Sequence, residues 1–319
     1  MVTFPKILFL SLAFLAGGCV SSAAETTPSP PSQPYQTGQV IAVSTGHPVD
    51  FQSWLEGLAD YNVVYIGEEH HNATHIQAAL TVLKAILAKQ QRAALLMEMF
   101  GWDGQEALNR YNDDPTYSRD AFLSDVGWER NWGGKFEDYE PLVNFVRQQK
   151  QSLAAMNPPK SLVRKVAARG LAEALTDPEM LRWGMTNQVL VDDRPYHELI
   201  VGQLERCHGG LDEVGYRKMY EASLFRDEGM AKTVVDWIHP GGPVVSYTGG
   251  GHIQYGLPVP SRVLRMRDSV HSALKQVTIY LHSYDPTQRS DIEELIAGRI
   301  ADFVWLTPVG AQGPPRKCR

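Results

Sequence analysis

Several function classes are disfavoured by what this chain of 319 residues lacks. Its 3 cysteines, Cys19, Cys207 and Cys318, allow at most one disulfide, so no cross-linked framework holds the fold. Charge is not lopsided: 30 Lys and Arg stand against 36 Asp and Glu, and the net charge of −6 excludes a basic nucleic-acid groove as the default reading. There is no internal repeat and no heptad run, which argues against a solenoid or a coiled coil. No His-Glu-x-x-His segment marks a zinc-protease helix. The apolar run Ile7–Ala16 is too short to span a bilayer comfortably. With 43% hydrophobic residues, the rest can build one substantial core or two small ones.

What is present begins with a targeting pattern. Lys6 precedes ILFLSLAFLA, the length of a signal-peptide core. The small residues Ala16-Gly17-Gly18 before Cys19 resemble a bacterial lipobox, in which the cysteine is lipidated and becomes the mature N-terminus. Val20 follows, not the aspartate of inner-membrane retention, so by that analogy a lipid-anchored outer-membrane location is expected. Residues 21–37 are rich in Pro, Ser and Thr and read as a flexible tether. The expected layout is a signal peptide over 1–18, lipidated Cys19 and tether over 19–37, and a single α/β domain over 38–319. Cys207 and Cys318 could pair in an oxidising compartment; the reading taken is a free buried thiol at Cys207 and a loose tail at Cys318.

The densest chemistry lies in Val63–His75, VVYIGEEHHNATH. A β-branched and aromatic run ends at Gly67 and reads as a buried strand meeting a loop. The loop carries Glu68, Glu69, His70, His71 and His75, acid, base and metal-ligand groups that must each be solvated, paired or coordinated. Spacing of two puts Glu68 and His70 on one side of an extended segment, with His71 pointing away. Thr74 and Gln77 have capping-box spacing, so a helix is expected to start at His75.

Further apolar runs predict strands at Ala93–Met97, Ser152–Met156, Pro243–Thr248, Val277–Leu281 and Phe303–Leu306, separated by helical patterns. Such alternation predicts an α/β fold with a mainly parallel sheet flanked by helices. Residues 161–237 read as three helices without a strand, a helical insertion or lid. Glu98 follows one strand, and Gly249-Gly250-Gly251-His252 follows another. Parallel strands end on one side of a sheet, so Glu98 and His252 are expected beside Glu68 and His70.

Taken in order, these pieces resemble the ChaN family of haem-binding lipoproteins, part of a wider group with the Tiki, TraB and erythromycin-esterase proteins. The resemblance is carried by Gly67-Glu68-x-His70-x-Asn72-x-x-His75, Glu98-Met99-Phe100 with Gln105, and Trp128…Trp132-Gly133 with Tyr139. It continues through Asn157-x-Pro159, Asp227-x-x-Met230-Ala231, and Gly249-x-Gly251-His252 with Gly256, Pro260 and Arg262. It departs at Pro158 and Lys160, which flank Pro159, and at Phe225-Arg226 before Asp227.

The resemblance implies a surface-tethered protein that binds haem and takes part in iron acquisition, with a haem receptor or transporter and a second copy of the chain as expected partners. No Cys-x-x-Cys-His motif supports haem independently. Candidate haem contacts are His75, Tyr139, Trp128, Trp132 and Arg262, with Arg226 or a histidine also able to meet the propionates. The second reading is a metal-dependent hydrolase in which Glu68, His70, Glu98 and His252 hold a divalent metal and carry catalysis. A third treats the cluster as a structural knot. Haem is expected at the mouth of the 161–237 helices, apart from the acidic cluster, because propionates would be repelled by Glu68 and Glu98.

Overall fold

A computed structural model describes residues 34–310, apart from 187–189, 191, 208, 239–241 and 268–273. The signal peptide, Cys19 and Cys318 lie outside the described residues. Tyr35, assigned above to the tether, is 3% exposed and packs in a cluster with Ile41 and Ile292. Its hydroxyl donates to the Gly46 carbonyl at 3.1 Å. The folded domain therefore begins before residue 38.

A short hairpin, β1 (Val40–Ala42) and β2 (His47–Pro48), precedes α1 (Phe51–Gly57). β3 (Val63–Glu68) leads to α2 (Ala73–Lys89), and β4 (Ala94–Gly101) to α3 (Gln105–Asp113), α4 (Arg119–Asp125), α5 (Trp128–Asn131) and α6 (Phe136–Gln148). After β5 (Ser152–Asn157) come α7 (Lys160–Arg169), α8 (Leu171–Ala174), α9 (Pro178–Arg182), α10 (Arg194–Cys207) and α11 (Glu213–Trp237). The chain closes with β6 (Val244–Gly249), α12 (Val259–Arg267), β7 (Gln276–Tyr284), α13 (Arg289–Ala297) and β8 (Phe303–Pro308).

These strands form one sheet in the order β2-β1-β8-β7-β3-β6-β4-β5. β3 to β8 pair in parallel, as the alternation predicts, while β1 pairs antiparallel with β8 and β2. β1 and β2 escape the sequence reading because so few residues carry no legible period. Both faces of the sheet are covered, which explains the continuous apolar strands. Val64 and Ile66 of β3 join the core shared with α2 and α6, and Val63 and Tyr65 join the one shared with α11 and α12.

Among the described residues the helical segment after β5 holds five helices where three were expected. Gly170, at φ +88°, divides α7 from α8. α7 and α9 bury a small core of their own with Phe225. α11 is more than a lid, since Met230, Ala231 and Val234 pack on the sheet as an ordinary crossover helix does. The start of α2 also differs from expectation. Asn72 is the N-cap, its Oδ1 accepting from the Thr74 amide at 3.0 Å and the Thr74 hydroxyl at 2.7 Å. Thr74 is thereby consumed as a donor inside the first turn and cannot cap. Among the described residues no helix is long and apolar enough to cross a membrane.

Candidate functional site

Three adjacent parallel strands, β3, β6 and β4, deliver the chemistry to one end of the sheet. Glu68 is the last residue of β3. Glu98 sits where the register of β4 against β5 shifts between Met97 and Gly101, a bulge that re-aims the side chain. His252 ends the short turn that follows β6. Gly249 makes the close approach possible: a Cβ there would lie 2.7 Å from His70 Cε1 and 3.4 Å from Glu98 Oε2. Glu68, His70, Glu98 and His252 are thus brought together.

Their charges compensate one another. Glu98 is 1% exposed, and its carboxylate accepts from the Arg226 guanidinium and, at 2.6 Å, from the Gly249 amide. His252 Nε2 lies 3.4 Å from the same carboxylate, while Nδ1 bonds Asp227 at 2.6 Å. Asp227 is itself buried and accepts from the Tyr196 hydroxyl at 2.7 Å. Asn157 closes the row, accepting from Arg226 Nε at 2.8 Å and donating to the Glu98 carbonyl at 2.5 Å. Burial opposes the charge on His252, yet Glu98 and Asp227 outweigh it and lift the pKa to about 9. Burial likewise opposes ionised Glu98, but His252 and Arg226 hold its carboxyl well below the ordinary range.

Glu68 heads a second network. Its carboxylate accepts from Tyr139 at 2.9 Å and Tyr247 at 2.6 Å, and bonds His70 Nδ1 at 2.8 Å. Burial raises the Glu68 pKa, partly offset by His70 and the two phenols. For His70, burial works against protonation, but the bond to Glu68 and the field of Glu98 prevail and the pKa rises. No hydrogen bond occupies His70 Nε2 among the described residues, and the side chain is 44% exposed. Its ring meets Trp132 edge-on with centroids 4.8 Å apart.

His70 opens onto a cavity of about 490 Å³, within the usual range for a small-molecule site. His71 lines it too, with Nδ1 bonded to Asp138 at 2.8 Å. The expectation that His71 points away from His70 fails because His71 has φ +62°, which breaks the alternation of an extended chain. Met99, Trp132 and Val163 add apolar wall, and Lys160 and Arg226 add cations. Of the cluster, His70 and Glu98 share this cavity with Val163 and Arg226 of the helical segment, while Glu68 and His252 do not line it.

Other candidates lie elsewhere. His75 is fully buried, with Nδ1 accepting from the Glu69 amide at 2.9 Å and Nε2 bonded to Thr307 at 2.9 Å, so both nitrogens are spent on holding the loop. Tyr139 is buried between the His71 amide and Glu68. Trp128 is 2% exposed and packs on Phe100 and Phe136. Arg262 is buried over the Tyr196 ring and paired with Glu228 at 3.2 Å. None of these four lines the cavity. Nor does the four-residue metal set act as one. Among the described residues no three His, Cys, Asp or Glu side chains are placed to share an ion, because the carboxylates are occupied by Arg226, the imidazoles and the phenols. Cys207 is exposed and disulfide-bonded, against the expected free buried thiol.

Asp227, Asn157, Lys160 and Met99 were not singled out as site residues by sequence reasoning. Asp227 and Asn157 bond His252 and Arg226, which lie far away in the chain, and motif order was their only signal.

A solved structure of ChaN from Campylobacter jejuni, described as binding haem cofacially, superposes with a TM-score of 0.65 at 18% identity, covering 86% of this chain and 98% of that one. At that identity the likeness establishes the fold. An erythromycin esterase mutant in its open conformation matches at 13% identity over 77% of this chain and 76% of its own, with a TM-score of 0.42. The chloroplastic protein RETICULATA-RELATED 5 of Arabidopsis thaliana is 24% identical over 277 residues, 79% of this chain. The chain spans only 35% of that protein's length. Residues 54–263 match the family model described as haem-binding uptake, Tiki superfamily, ChaN, and the chain belongs to that family.

Proposed function

We propose that the protein binds haem in the cavity beneath Trp132 and serves haem uptake while anchored to the bacterial outer membrane through lipidated Cys19. One observation carries the site: His70 is an imidazole backed by a carboxylate, with Nε2 unpartnered among the described residues on a cavity wall. Metal-ligating histidines usually donate their other ring N–H to such a group, which fixes the tautomer and strengthens the ligand. Trp132, Met99 and Val163 suit a macrocycle, and Arg226 and Lys160 suit its propionates. His70 would hold the iron of a bound haem, which would supply redox-active iron chemistry at this wall. The repulsion expected from the acidic cluster is relieved, because Glu98 is matched by Arg226 and His252 and Glu68 by His70. Membrane anchoring, a receptor or transporter partner and a dimer follow by family analogy.

An absorbance titration with haemin, repeated with added divalent metals, tests the binding site. A Soret change that saturates at stoichiometric haemin and ignores the metals is expected. No Soret change in the folded protein overturns the reading. Separately, Cys19→Ser should abolish partition into a detergent phase; unchanged partition removes the lipid anchor from the proposal.

A further inference from the structure

Lys160 stands apart from the other charged residues on the wall of the cavity that His70 opens onto. It is the first residue of α7, directly after the buried pair Pro158-Pro159. It is also one of the positions at which the chain departs from the family pattern. Glu98 is the sole carboxylate among the described residues lining this cavity, and Arg226 and the Gly249 amide already occupy it. Among the described residues the Lys160 side chain has no hydrogen-bond or ion-pair partner. Arg164, one turn along α7 on the same face, has none either.

These surroundings disfavour an ammonium. The first turn of α7 carries no acidic residue and no side chain caps it, so the positive end of the helix dipole is uncompensated there. Burial lowers the Lys160 pKa, and the Arg164 and Arg226 guanidinia lower it further. Desolvation and neighbouring cations activate a lysine as a nucleophile. An arginine at this position would keep its proton and could not react. Arg164, with no carboxylate of its own, favours a reactant that carries an anionic group.

We infer that Lys160 is a capture site for a small aldehyde or ketone bearing an anionic group, which it holds in the cavity as an imine. The neutral amine adds to the carbonyl carbon, and the carbonyl oxygen leaves as water with both amine hydrogens. No oxidant or reductant takes part. This chemistry does not rest on haem, and its test runs without haemin. The full chain is incubated with pyridoxal phosphate, or with pyridoxal, which lacks the phosphate. Borohydride then reduces the imine, and mass spectrometry of the digest locates it. Pyridoxal phosphate should label Lys160 about tenfold faster than the exposed Lys150 and Lys275. Lys160→Arg should remove that adduct. Arg164→Gln should slow labelling by pyridoxal phosphate about tenfold more than labelling by pyridoxal. Three outcomes overturn the inference: labelling of Lys160 no faster than that of Lys150 and Lys275, an adduct at the same peptide in Lys160→Arg, or equal rates of change for the two aldehydes in Arg164→Gln.

Discussion

Two histidines a few ångströms from Glu98 live in opposite circumstances. His252 is held between two carboxylates, Glu98 and Asp227, and both of its nitrogens are engaged. Among the described residues His70 is held at one nitrogen only, and it is nearly half exposed and lines the cavity. The first arrangement engages both nitrogens of His252 and ties the ends of β4 and β6 to α11. The second leaves Nε2 without a hydrogen-bond partner among the described residues, which is why the proposed haem site is built on that imidazole.

The largest effect should come from breaking the His252 side. Glu98→Ala takes the carboxylate from Arg226 and leaves His252 with Asp227 alone, a change that costs about 3–5 kcal/mol when a buried pair loses one member. Urea unfolding midpoints measure it, and a loss below about 1 kcal/mol would show that the row carries little of the fold.

Stability against pH sharpens the contrast next. The folded pKa of His252, about 9, lies above its ordinary value of 6.5, so its contribution is complete below 6.5 and is lost as pH rises through 9. His75 runs the other way. Burial, and less strongly the nearby His282, lower its pKa to about 4, so its contribution is present above 6.5 and fades as pH falls toward 4. Each limb amounts to on the order of 3 kcal/mol. Unfolding midpoints across pH should therefore peak near 6.5, with His252→Asn flattening the alkaline limb and His75→Gln the acid one. A profile unaltered by either replacement contradicts the assignment.

On the open side, effects on stability shrink while effects on ligand grow. His70→Ala should cost about 1 kcal/mol of stability, since Glu68 keeps both phenol donors, yet shift the Soret band and weaken haemin binding at least about tenfold. An unchanged spectrum would remove His70 as the iron ligand while leaving haem binding itself intact. The smallest effect is expected from Asp138→Asn, which breaks a partly exposed pair with His71 and should cost less than about 1 kcal/mol. Thermal unfolding resolves it.

The strands and their parallel order were legible because β-branched runs such as Val63–Ile66 and Val244–Tyr247 are buried on both faces and need no partner to be recognised. The chemistry of the Glu68–His75 loop was legible in the same way, from composition alone. Which histidine stays open was not. Arg226 and Glu98 are 128 positions apart, Tyr247 and Glu68 179, and their pairing depends on strand order and the bulge in β4. The turn of His71 onto the cavity depends on one backbone angle, and the end of the tether on the packing of Tyr35. Local sequence determines period, polarity and the kinds of groups available, because these act within a few residues. Only the tertiary structure decides which of those groups neutralise each other, because charges and hydrogen bonds are matched across space and not along the chain.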